Sequence, residues 1–136
     1  MFTAGRESYA TLVLDALDPT RSIFRHRLFR QHCVFKTFNH GVLVKDLRIL
    51  NRPMHRTVLI DNSVSSFLHQ LRNGIPIVPF FDNPNDCALA LQQLLYIVDA
   101  EPDVRVLLDK VFSLEQIFGP ISRQTSTPSP GPTPAR

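Results

Sequence analysis

The chain has little cysteine, no long apolar run and a body of nearly balanced charge, and each scarcity excludes a class of protein. Cys33 and Cys87 are the only cysteines in 136 residues. They lie far apart without Cys-x-x-Cys spacing, which favours reduced thiols of the cytosol or nucleus over a disulfide framework. No stretch of about 18 apolar residues occurs, and Met1-Phe2-Thr3-Ala4-Gly5-Arg6 lacks the basic region and apolar core of a signal peptide. A soluble chain without a membrane segment is therefore expected. Two of the charges behind the formal +3, Arg123 and Arg136, follow the last acidic residue, Glu115, so no nucleic-acid footprint is indicated. No internal repeat is visible.

What is present is enough for one domain: 43% hydrophobic residues, with 10 Phe, fill a modest core. The stretch Arg56-Thr57-Val58-Leu59-Ile60-Asp61-Asn62-Ser63 organises the rest. Its apolar run reads as a short strand buried on both faces, as inside a parallel sheet. It stops at Asp61-Asn62-Ser63. Ligands of open α/β sheets bind at the carboxyl ends of strands, so a carboxylate and an amide here suit a metal or phosphate site; the same triplet equally turns a chain and caps a helix.

Upstream, Phe2-Thr3 reads as a strand end and Ala4-Gly5 as a tight turn. A helix is expected over 6–17, with Tyr9, Leu12, Val13, Ala16 and Leu17 at helical spacing and Asp18-Pro19 ending it. Thr3, among small residues before a helix, could offer its hydroxyl and free N–H groups to a phosphate, or serve only as a cap. The basic, aromatic-rich segment 21–35 fits either an anionic partner or two short strands with alternating solvated Arg and buried Phe or Leu. His26, His32, Cys33 and His40 match no zinc-finger or ribbon spacing. Lys45 closes the apolar run Val42-Leu43-Val44, where an ammonium aimed into a crevice can neutralise a phosphoryl group or orient a carboxylate.

Downstream, a short helix or turn is expected over 63–71 and a turn at Asn73-Gly74. A strand is expected over 75–81, at a sheet edge because Pro76 and Pro79 lack N–H groups. A loop at 82–86 leads into a helix over about 87–98, and a final helix containing 104–108 ends near Phe112. From Gly119 the composition shifts, and the Ser-Pro and Thr-Pro pairs of 126–134 belong to a tail that cannot bury apolar surface.

Several segments together resemble one family: Phe2-Thr3-Ala4, Phe24-Arg25-His26-Arg27-Leu28-Phe29-Arg30-Gln31-His32-Cys33-Val34, Val44-Lys45-Asp46-Leu47, Ile60-Asp61-Asn62-Ser63, Asn73-Gly74-Ile75-Pro76-Ile77 and Asp103-Val104-Arg105. In this order and spacing they resemble the carboxyl-terminal portion of the small phosphatases that act on the RNA polymerase II carboxy-terminal domain. These form the NLI-interacting-factor group, which includes Dullard, within the haloacid dehalogenase superfamily. The resemblance covers about residues 1–118, leaving 119–136 as a Pro/Ser/Thr-rich tail.

The resemblance implies an α/β, Rossmann-like core with a parallel sheet and a Mg²⁺-dependent phosphoserine/phosphothreonine phosphatase acting on a phosphorylated protein or peptide in the nucleus or cytoplasm. Carried over by position, Thr3 binds phosphate and Lys45 neutralises the phosphoryl oxygens. Asp61 orients Lys45, Asn62 coordinates Mg²⁺, and Arg30 lies near the substrate peptide. The family's Asp-x-Asp-x-Thr motif, with nucleophile and general acid, is absent. The expectation is thus an incomplete core missing its first catalytic strand, truncated and inactive as it stands. Val64, where a proline often follows the triplet, and Pro79-Phe80-Phe81, where Ser-Trp-Phe is usual, are smaller departures that bear on substrate choice. The alternative is a non-catalytic binding module, such as the receptor-like subunit of the mitochondrial inner-membrane presequence translocase.

Overall fold

The computed structural model describes residues 1–37, 41–81 and 88–124. These form an α/β arrangement with four α-helices, a small parallel sheet and a separate antiparallel pair. Helix α1 spans Glu7–Leu17, with Glu7 in its first turn, where a negative charge suits the helix dipole. It buries only Ala10 and Leu14, against Phe29 and Phe24. Asp18 ends it: its N–H bonds the Leu14 carbonyl, while its buried carboxylate accepts the N–H groups of Ser22, Ile23 and Phe24.

Those bonds fold the loop that delivers Leu28 beside Phe2 in a parallel bridge. Strands β1 (Val34–Lys36) and β2 (Val42–Val44) pair antiparallel, Val34 opposite Val44. The segment 21–35 therefore contributes a single strand start, and a 3₁₀ turn at Arg30–His32 stands in place of a second continuous strand.

Strand β3 (Leu59–Asp61) lies parallel to β4 (Gly74–Pro76), with Leu59 opposite Gly74 and Asp61 opposite Pro76. The crossover between them is made of 3₁₀ turns at Val64–Phe67 and Leu71–Asn73. Buried Asn73 steers it by donating its amide to the carbonyls of Met54 and Thr57, both at 2.7 Å. Gly74 is required by packing: a Cβ there would stand 2.7 Å from Cγ of the fully buried Phe67. The parallel pairing thus occurs in two places, the Phe2–Leu28 bridge and β3–β4, and among the described residues no strand joins them.

The strand expected over 75–81 is shorter. β4 ends at Pro76, the Ile77 N–H makes one further bond to Asp61 O at 3.0 Å, and Val78, Phe80 and Phe81 are exposed; Pro79 has no N–H with which to extend the ladder. Helix α2 spans Ala88–Ala100, while the loop expected over 82–86 lies outside the described residues. Helix α3 (Val104–Phe112) starts at Asp103, whose side chain accepts the Arg105 N–H, and ends at Ser113 in the left-handed region.

Helix α3 is not the last. Helix α4, Leu114–Gln124, runs through Gly119 and Pro120. Pro120 forgoes one helical N–H bond, but Leu114, Phe118 and Ile121 fall on one face and pack against the main core of Val44, Leu47, Leu59, Phe67, Leu68 and Leu71. A second cluster joins Ile75 to Val98, Val104 and Leu108. The composition break at Gly119 therefore does not coincide with a helix end. No helix of the described residues is long and apolar enough to cross a membrane.

Candidate active site

Thr3 is held by the Phe2–Leu28 bridge, its N–H bonding the Leu28 carbonyl at 2.9 Å. The chain turns immediately, and the Gly5 N–H reaches back to Thr3 Oγ1 at 3.0 Å. That bond uses a lone pair of the hydroxyl and leaves its proton for an anion. A Cβ on Gly5 would stand 3.2 Å from the same oxygen, so a small residue permits the close approach. Arg30 fixes the turn from outside, donating its backbone N–H to Gly5 O at 3.0 Å and its Nε to Ala4 O at 2.7 Å.

Lys45 follows the end of β2, where its backbone N–H bonds Ser66 O. Its side chain crosses to Asp61, the last residue of β3, and Nζ pairs with Oδ2 in a buried ion pair. The second oxygen of Asp61 accepts the Ser63 N–H at 2.8 Å. This turns the chain after β3, so the turn and the charged site are one structure. Lys45 Nζ also lies 5.9 Å from the ring centroid of Phe2, which brings the Thr3 turn and the β2 and β3 ends to a common centre.

Between them lies an open cavity of about 610 Å³ lined by Thr3, Lys45, Asp61 and Asn62 with a serine rim that includes Ser63 and Ser65. Four of the five residues singled out in the sequence thus meet. Arg30, the fifth, does not line the cavity; it buttresses the turn that does. Asn62 is exposed at the rim.

Asp61 is the one carboxylate among the described lining residues, and both its oxygens are engaged. Magnesium prefers six oxygen ligands including carboxylates. The described residues hold no cluster of three or more His, Cys, Asp or Glu able to grip a metal, so the amide oxygen of Asn62 alone does not make a magnesium site.

Sequence reasoning missed the support behind Lys45. Gln70 accepts the Leu47 N–H at 3.0 Å and donates to Asp46 at 2.9 Å, strapping the turn that follows Lys45. Asp46 is held well below the usual carboxylate range, chiefly by its bonds from Arg48. No local pattern announces a glutamine 23 residues downstream as a partner of Leu47. Cys33 was also unassigned: its Sγ lies 3.9 Å from Thr3 O, and burial raises its thiol pKa against the opposing pull of Lys45 and Arg30. His32, weighed as a zinc ligand, uses Nδ1 to accept the Phe29 N–H; His40 lies outside the described residues.

A family model described as NLI interacting factor-like phosphatase matches residues 1–105. The chain belongs to that family. Among individual relatives, "CTD small phosphatase-like protein 3" of Caenorhabditis elegans is 43% identical over 118 residues, covering 84% of this chain and 39% of the relative. "CTD small phosphatase-like protein 2" of Dictyostelium discoideum is 39% identical over 123 residues, 87% of this chain and 20% of the relative. "CTD nuclear envelope phosphatase 1" of Xenopus tropicalis is 37% identical over 113 residues, 81% and 44% respectively. The chain therefore spans less than half the length of these curated relatives. The family match runs through Thr3, Arg30, Lys45, Asp61 and Asn62 and stops inside α3.

Proposed function

We propose that the chain carries the phosphate-holding part of a phosphoserine/phosphothreonine protein phosphatase site on a Rossmann-like core of the haloacid dehalogenase type. The observation that carries this reading is the buried Lys45–Asp61 pair facing Thr3 and Asn62 across one cavity. A buried ammonium anchored by a carboxylate is a fixed positive centre, and the Thr3 hydroxyl supplies a directed donor beside it. Such groups stabilise a transferring phosphoryl without reorganising during the reaction. Asp61 orients Lys45, and Arg30 holds the Thr3 turn where the substrate peptide would pass.

The phosphoryl acceptor is not assigned to any of these residues. The sequence contains no Asp-x-Asp pair, and Asp61 is spent on Lys45 and Ser63. A carboxylate pair from outside the 136 residues would have to supply the nucleophile, the general acid and the remaining ligands of Mg²⁺, to which Asn62 would add one oxygen. The relatives' names, which include a nuclear envelope phosphatase, support a phosphoprotein substrate and a nuclear-associated location. The RNA polymerase II carboxy-terminal domain is one candidate substrate.

The test is release of phosphate from a phosphoserine peptide with Mg²⁺, using the 136-residue chain and a version extended by an Asp-x-Asp strand. The chain alone is expected to be inactive. The extended version should turn over, lose activity by at least about a hundredfold in Lys45→Ala, and require Asn62. Mg²⁺-dependent turnover by the unextended chain that vanishes in Lys45→Ala would overturn the assignment of the acceptor; an extended enzyme indifferent to Lys45→Ala would overturn the site itself.

A further inference from the structure

A second cavity, also of about 610 Å³, adjoins the Phe2–Leu28 bridge through Leu28 and shares Met1 with the first. It is lined by the loop Ile23–His26, by Ile49, Leu50 and Arg52, and by Met1 and Leu28. No acidic residue lines it. Arg25, His26 and Arg52 do, and all three are exposed with no side-chain hydrogen bond or ion pair among the described residues. Neighbouring basic residues are employed differently: Arg27 pairs with Asp15 and Asp18, Arg21 with Asp15, and Arg48 with Asp46. Between the unpaired cations stand exposed aliphatic side chains, Ile23 at 69% and Ile49 at 49% of their full accessibility.

We infer that this cleft docks an acidic peptide segment of another protein, one that carries aliphatic side chains among its carboxylates. The argument is charge and shape together. Unpaired guanidinium groups without a nearby acid leave a local positive field in a chain whose charges are otherwise nearly balanced, and a peptide with carboxylates would neutralise it. The two isoleucines at the walls would cover an aliphatic side chain that a purely polar anion lacks. Nucleic acid fits less well, because the Phe24 ring is packed against the Ala10, Leu14 and Phe29 cluster rather than offered for stacking. A lipid surface fits less well, because the cations line a concavity. The cleft shares only Met1 with the cavity of Thr3 and Lys45, and none of the residues of the catalytic reading lines it.

The experiment is fluorescence anisotropy of the full 136-residue chain with a fluorescein-labelled peptide repeating Glu-Glu-Leu, against one repeating Glu-Glu-Ser. The leucine peptide should bind more tightly, and more weakly as salt rises. Arg25→Glu/Arg52→Glu and, separately, Ile23→Ser/Ile49→Ser should each weaken it by about tenfold or more, with an unchanged thermal melt. Should the charge-reversed pair fail to fold, Arg25→Gln/Arg52→Gln reads the same interaction with no added charge. The inference is overturned if the leucine peptide does not bind, if the serine peptide binds equally well, or if the folded double variants bind as the parent does. It is also overturned if oligouridylate or phosphatidylserine vesicles bind through Arg25 and Arg52 more tightly than the peptide does.

Discussion

Lys45 and Asp61, 16 residues apart in sequence, bury their opposite charges against each other at the ends of two strands that belong to different sheets. The pair ties β2 to β3 where no ladder hydrogen bond does. Removing one partner leaves an uncompensated charge. Lys45→Met alone should therefore destabilise the chain by about 3–5 kcal/mol, and adding Asp61→Asn, which keeps an acceptor for the Ser63 N–H, should recover part of it. Urea unfolding of the two single variants and the double variant measures the coupling. Strictly additive losses would show that the pair does not act as a unit.

Gly74 faces Phe67 so closely that any side chain collides with the ring. Gly74→Ala should cost about 1–3 kcal/mol through overpacking. Phe67→Leu in the same chain should relieve the collision, so the double variant should be more stable than the sum of the single losses predicts. Thermal melts of the four proteins decide this.

The loop 21–24 hangs on the Asp18 carboxylate, whose pKa is lowered first by the Phe24 N–H and further by the Ile23 and Ser22 N–H groups, against the opposing effect of burial. A carboxylate depressed in the folded state contributes stability that is present above its unfolded value of about 3.8 and is lost as pH falls through the folded value. Asp18→Ala should flatten the acid limb of the stability curve. It should also speed tryptic cleavage after Arg21 and Arg25, because the loop loses its anchor; parent-like cleavage would remove Asp18 from that role.

Burial lowers the pKa of His69 from 6.5, Lys36 and Arg48 act in the same direction, and Asp46 opposes them. Its Nε2 is buried without a partner. A base depressed in the folded state is neutral there while the unfolded chain protonates, so stability falls as pH drops below about 6.5, a window separate from that of Asp18. His69→Phe should remove the slope that begins below about pH 6.5 and leave the limb below about pH 4 in place. Chemical denaturation at a series of pH values reads both.

Local pattern was legible wherever one element's own residues carry the signal. Helix α1 and the body of α2 and α3 follow from apolar residues at helical spacing and from Asp18 and Asp103 at their ends. The β3 strand follows from Val58-Leu59-Ile60 running into a carboxylate. Helix α4 is not announced by its own sequence, in which the composition shifts at Gly119 and Pro120 stands inside the helix. Leu114, Phe118 and Ile121 hold the helix by packing against the core, a tertiary gain that outweighs poor local propensity. The apolar run through Phe81 predicts a longer β4 than forms, because pairing with β3 stops after the Ile77 N–H bond to Asp61 O.

By itself, the sequence determined the residue types of the candidate site, their order, the family they mark, and the absence of an Asp-x-Asp pair. Tertiary structure alone decided which of them meet. It brought Thr3, Lys45, Asp61 and Asn62 to one cavity, set Arg30 behind the turn and recruited Gln70 as a strap, because those contacts span tens of residues and depend on strand pairing that no local period encodes. It also separated the employed cations from the idle ones. Arg27 and Arg25 look alike in the sequence, but one is consumed by Asp15 and Asp18 while the other faces an open cleft, since the charge a side chain offers to a partner depends on what the fold has already placed beside it.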